Sequence, residues 1–196
     1  MKKKRRQWSN RRTIPLRRKR DQKTDYKQRL HLLLSDKPRL VVRRSLKHTQ
    51  VQLVRFDIKG DVVLASAHSK ELAAQGYEGS TSNMCSSYLT GLLLAKKAGG
   101  KVKEAIVDLG VYPKNLRSRL FAAVRGAKEG GLDIPVNEEK ALPGDDRVLG
   151  NHVQNYAALL KEKDKAAYDK QFSQYKKVKP EALVAHVTQI RDKLMK

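Results

Sequence analysis

Hydrophobic residues along the chain fall into segments whose spacing changes from helical to strand-like and back. Tyr26, Leu30, Leu33 and Leu34 recur at helical spacing while Lys27, Gln28, Arg29 and His31 are polar, so a helix is expected from about 25 to 35, capped by Thr24 or Asp25. Asp36-Lys37-Pro38 ends it, because proline disfavours helical geometry at the residue before it, and Arg39 to Arg44 then reads as a strand. Thr49 to Ile58 alternates, with Val51 and Leu53 set against Gln50, Gln52 and Arg55. That is the pattern of a half-buried strand. A turn at Lys59-Gly60-Asp61 leads to a third strand, Val62 to Ala67, and links this short imply an antiparallel meander.

Helical spacing then returns. Ser69 to Gln75 predicts a short helix closed by Gly76, and Gly79 to Ser82 a polar loop. Asn83 predicts the cap of a longer helix carrying Tyr88, Leu89, Leu92 and Leu93, stopped at Gly99-Gly100. Ala105 to Leu109 is a short apolar strand, and the helix before it supplies the crossover that a parallel pairing needs. Leu120, Val124 and Ala127 space a helix over about 116 to 129, closed by Gly130-Gly131. Beyond Pro135 the pattern is helical and charged: one helix from Asp145 or Asp146 to about Lys163, a polar lysine-rich connection over 161 to 179, and a helix over 180 to 196 with Leu183, Val187, Ile190 and Leu194. No internal repeat appears at solenoid period. The expected fold is α/β: a mixed, mostly antiparallel sheet with one parallel crossover strand and packed helices, a basic N-terminal arm and a helical C-terminal extension. The expected divisions are an arm at 1 to 23, a core at 24 to 136 and the extension at 137 to 196.

Charge changes this picture most. The chain has 196 residues, 43 lysines and arginines against 20 acidic residues, and a net charge of +23. Such a chain repels itself unless a polyanion neutralises it. Residues 1 to 50 hold 19 of the basic residues and only three acidic ones, Asp21, Asp25 and Asp36. The basic residues come in blocks, Lys2, Lys3, Lys4, Arg5 and Arg6, then Arg11 and Arg12, then Arg17, Arg18, Lys19 and Arg20, with no helical or strand period through them. An arm of this kind is expected to order on phosphates, where counterion release replaces repulsion. Trp8 and Tyr26 offer rings for base stacking. Arg43, Arg44, Lys47 and His48 add donors across the junction of the first two strands.

Other chemistry finds little support. No apolar run nears the roughly 20 residues that span a bilayer, and the apolar stretch at Leu92 to Ala95 stops at Lys96. Gln7 to Arg20 has no apolar stretch like that of a secretory signal, so secretion by that route and membrane association are not expected. Cys85 is the single cysteine, expected as a buried, reduced thiol. His31, His48, His68, His152 and His186 fall on five different elements without metal-ligand spacing. Glycines at 126 to 131 follow a helix, whereas a phosphate-binding loop precedes one. No metal and no cofactor are expected. Asp57, Asp61 and Asp108 lie near strand ends, so a metal-dependent nuclease is one alternative; a general basic DNA-binding protein is another.

Seven stretches in order carry a resemblance: KTDYKQRLHLL (23 to 33), KPRLVVRRS (37 to 45), VLASAHSKEL (63 to 72), SYLTGLLLA (87 to 95), EAIVDLG (104 to 110), FAAVRGAKEGGLDIP (121 to 135) and RVLGNHVQNYA (147 to 157). From Lys23 onwards the chain resembles the archaeal branch of the large-subunit ribosomal protein family that binds 5S rRNA, called protein eighteen. The resemblance implies a non-catalytic structural constituent of the cytoplasmic ribosome. Such a protein joins 5S rRNA to the large-subunit rRNA in the central protuberance and touches neighbouring large-subunit proteins. It further implies RNA contacts from the arm at Arg11, Arg12, Arg17, Arg18, Arg20 and Lys23, from the helix start at Tyr26 and Arg29, and from the strand junction at Arg44, Ser45, Lys47 and His48. The chain departs from the family pattern at Leu46, where asparagine is usual, and at Cys85, where proline is usual.

Overall fold

The computed structural model describes residues 15–173, 175 and 178–196. Four strands, β1 (Arg39–Arg44), β2 (Thr49–Arg55), β3 (Val62–His68) and β4 (Ile106–Asp108), form one sheet in the order β3-β2-β1-β4. The first three pair antiparallel, and β4 joins β1 in parallel. This is the expected mixed α/β fold with its parallel crossover strand. The second strand stops at Arg55, before the expected Ile58, and Phe56 and Ile58 are exposed.

Side chains alternate across the sheet, as the two-residue period of a strand requires. Leu40, Val42, Val51, Leu53 and Ala67 are buried on one face. That face is covered by helices, chiefly α3 (Met84–Ala98), which Asn83 caps by accepting a hydrogen bond from the Ser86 amide at 2.7 Å. α3 is buried on nearly every side, and against it lies α4 (Arg119–Glu129). The two helices approach backbone to backbone at a pair of glycines. A Cβ on Gly91 would overlap the carbonyl oxygen of Ala123, and one on Gly126 the carbonyl oxygen of Tyr88. Tyr88 also donates from its hydroxyl to Glu129 across this crossing.

The helices on the N-terminal side are shorter. Arg17–Arg20 forms one helical turn, α1, where the sequence showed no period, and α2 (Tyr26–Leu33) follows under an Asp25 cap. α2 buries none of its residues completely, and Leu30 and Leu34, expected on its inner face, are exposed. Polar contacts to the sheet, described below, hold it instead.

After α4 come α5 (Glu138–Ala141), α6 (Asp145–Leu149), α7 (Asn151–Lys163), α8 (Lys165–Gln171) and α9 (Leu183–Met195). The single helix expected from 145 to 163 is broken at Gly150, whose φ of 96° lies in the left-handed region. A Cβ there would press on Leu183 and on the Cys85 sulfur, so the break seats the chain against α9 and the start of α3. The polar, lysine-rich connection expected over 161 to 179 contains α8, held by Phe172, whose ring centroid lies 5.1 Å from that of Tyr168 and 6.3 Å from that of Tyr156. Leu183, Val187, Ile190 and Leu194 of α9 join the same hydrophobic cluster as the sheet and α3.

Candidate nucleic-acid interface

The sheet face away from α3 carries the odd-numbered positions of β1 and the even-numbered positions of β2. Arg39, Val41 and Arg43 therefore share it with Gln50, Gln52 and Val54, and the parallel register places Asp108 of β4 beside Val41. Arg39 is only 3% exposed. A guanidinium so placed must find partners, because burial without them costs several kcal/mol. Its Nη1 donates to Asp108 at 3.0 Å and its Nη2 to Asp61 at 2.8 Å. Arg29 from α2 donates to both oxygens of Asp61 at 2.9 Å, and Arg43 donates to the Asp108 carboxylate at 3.1 Å and to the Asp108 carbonyl at 2.7 Å. The result is an alternating ladder, Arg29, Asp61, Arg39, Asp108, Arg43, that pins α2 to the sheet.

Electrostatics follow from that ladder. Partial burial pushes the Asp61 carboxyl up, but the hydrogen bonds and charges of Arg29 and Arg39 outweigh it and hold the group below its ordinary range. Asp108 also accepts from the Gly110 amide at 2.8 Å. These carboxylates are each shared by two guanidiniums, which is the reverse of the free, converging acids that a metal-dependent nuclease uses. The third acid considered for that chemistry, Asp57, accepts from the Lys59 amide in the hairpin turn at 3.2 Å. Among the described residues no group of three or more His, Cys, Asp or Glu side chains is placed to share a cation.

Between α2, the segment leading into it and the sheet face turned away from α3 lies a cavity of about 570 Å³. Five residues expected to touch RNA line it together: Arg18, Lys23, Tyr26, Arg29 and Arg43. Arg18 is oriented by a 2.8 Å hydrogen bond from its Nε to the Thr24 hydroxyl. Arg17, Lys19 and Arg20 are exposed on α1 next to it. Lys3, Lys4, Arg5, Arg6, Trp8, Arg11 and Arg12 lie outside the described residues.

The strand-junction group sits in and around the β1–β2 turn, apart from the residues lining this cavity. Ser45 and His48 close the turn, the Ser45 amide donating to the His48 carbonyl at 2.8 Å and the His48 amide to the Ser45 hydroxyl at 3.0 Å. Leu46 at its tip is 94% exposed and Lys47 is exposed beside it. Arg44 lies over the Tyr112 ring, with its guanidinium carbon 5.4 Å from the centroid. His48 approaches His68, ring centroids 4.8 Å apart, and burial together with His48 holds His68 below the usual imidazole range.

Charge reasoning on the sequence did not single out Arg39, Gln28 or Gln52, all of which line the cavity. One signal was available: arginines four apart in a strand, with aspartates at the ends of other strands, is a pattern that a shared sheet face can neutralise internally. For the two glutamines no comparable signal exists.

A family profile described as ribosomal large subunit proteins 60S L5 and 50S L18 matches residues 10–105. Large ribosomal subunit protein uL18 of Methanococcus maripaludis is 49% identical over 185 residues, which covers 93% of this chain and 95% of that protein.

Proposed function

The chain belongs to the family of large-subunit ribosomal proteins that includes 60S L5 and 50S L18, and from that premise we propose that it binds 5S rRNA and helps attach it to the large-subunit rRNA in the central protuberance. As a structural constituent of the large subunit it works in translation, on cytoplasmic ribosomes, among rRNA and neighbouring ribosomal proteins. Its task in this reading is positioning, without catalysis.

One observation carries the reading: Arg18, Lys23, Tyr26, Arg29 and Arg43 converge on a single cavity between α2 and the sheet face turned away from α3. The arm leading into that cavity supplies affinity through phosphate neutralisation. The sheet and the β1–β2 turn, with Arg44, Ser45, Lys47 and His48, supply fixed donors that set orientation. Residues 1 to 23 hold 12 lysines and arginines and one acidic residue. Their removal is therefore expected to weaken binding to 5S rRNA by at least tenfold at physiological salt and to flatten the dependence of affinity on salt, each lost phosphate contact reducing the log–log slope by about 0.7 to 0.9. A mobility-shift titration across salt concentrations, with duplex DNA as competitor, measures both. Undiminished affinity after truncation would remove the arm from the mechanism, and equal affinity for duplex DNA would favour a general polyanion binder.

A further inference from the structure

The cavity beside α2 is lined by more than cations. Val41 and Val54 give it an apolar part, Tyr26 contributes a ring, and Gln28 from α2 and Gln52 from β2 contribute amides. No side-chain hydrogen bond engages either amide among the described residues. Arg39 also lines the cavity, and its buried Nε has no hydrogen-bond partner. The remaining guanidinium groups of Arg29, Arg39 and Arg43 are already engaged with Asp61 and Asp108. A phosphate entering this space would have to compete with two resident carboxylates. A neutral, flat group with donors and acceptors on its edge would not.

On these grounds, and resting on the rRNA-binding reading above, we propose that the cavity receives one unpaired base of ribosomal RNA, turned out of its stack and read at its edge by Gln28 and Gln52. A volume of about 570 Å³ admits a base with room for its flanking sugar, and lies within the roughly 300 to 1,000 Å³ of ordinary small-ligand sites. Paired amide donors and acceptors match base edges, and proteins that recognise RNA sequence do so mainly at bases splayed out of single-stranded regions. Arg18 and Lys23, which line the same cavity and carry charge not consumed by the ladder, are placed to hold the phosphates flanking the extruded nucleotide. The ladder then has a function beyond stability: by neutralising its own guanidiniums, it makes the pocket selective for a base over backbone.

The test uses the full chain, with Gln52→Leu and, separately, Gln28→Ala, which sits on a partly exposed helix face and so guards against a folding defect. Each is titrated against 5S rRNA and against large-subunit rRNA, and the bound RNA is probed with base-reactive reagents. The expected result is a loss of affinity of about 5- to 100-fold, with the salt slope unchanged because an amide neutralises no phosphate. A single unpaired base protected by the wild-type protein should regain reactivity in both variants while the rest of the footprint persists. The RNA in which that base lies identifies its source. If the wild-type protein binds but both variants keep its affinity and footprint, or lose protection diffusely, the base pocket is wrong and the RNA-binding reading stands. If the wild-type protein binds neither RNA, both fall.

Discussion

Arg39 takes a full guanidinium out of water, and the open face of the sheet is organised around the two carboxylates that compensate it. Removing one partner of such a group leaves the other buried and uncompensated, which is why single substitutions in the ladder should be costly. Asp61 is the more accessible of the two acids, with 29% of its side chain exposed, so its share is modest: Asp61→Asn is expected to lower stability at neutral pH by about 1 kcal/mol. The sign with pH follows from the direction of its shift. A carboxyl held below its ordinary range in the folded state contributes stability above its unfolded pKa of about 3.9 and loses it as pH falls through the lower folded value. Urea midpoints measured from pH 7 down to pH 2 should therefore fall below about pH 4 in the wild-type protein and fall less steeply in Asp61→Asn. Superimposable profiles would mean that the ladder contributes nothing at this rung.

Among the helices, α9 has the most consequence for what precedes it. Leu183 is fully buried, and it and the Cys85 sulfur both crowd the left-handed Gly150. Leu183→Ala should cost about 2 to 5 kcal/mol, the range for a buried leucine whose cavity cannot collapse. Cys85 provides an independent reporter, since burial pushes its thiol up to about 11 and a thiol at that value is unreactive near neutrality. Labelling with a chromogenic disulfide should be slow in the wild-type protein and faster in Leu183→Ala; labelling of the wild-type at the rate of a free thiol would contradict the packing of α9 over this site. The same contacts explain where the sequence was legible. Strand alternation and caps placed β1 to β4, α2 and α3 to within a few residues, because those signals are local. The break at Gly150 depends on Leu183 and Cys85 from distant segments, and α8 depends on ring contacts with Tyr156 of α7. The burial of Arg39 was hidden for the same reason, because only the parallel register of β4 brings Asp108 beneath it. Of the interface, the cations and Tyr26 were readable from charge and type, whereas Gln28 and Gln52 acquire meaning only from the cavity they share.

At the scale of the whole molecule, two electrostatic effects act in opposite directions and ionic strength separates them. A net charge of +23 repels itself in the free protein, and screening that repulsion favours the compact state. The buried Arg39–Asp108 pair is screened far less than surface charges, whose interactions fade beyond a Debye length of about 10 Å at 0.1 M salt. The melting temperature of the isolated protein should therefore rise as salt increases from about 0.02 to 0.3 M. Removing residues 1 to 23 should shrink that rise, since those residues contribute 12 of the basic side chains. In the presence of 5S rRNA the dependence should invert: at 100 times the dissociation constant a ligand adds about 2.7 kcal/mol, and added salt weakens that binding steeply. A free protein whose melting temperature falls from the lowest salt upward would show that its surface ion pairs outweigh its repulsion. The polyanion would then have no repulsion to relieve, and the stabilisation it gives would come from binding to the folded state alone.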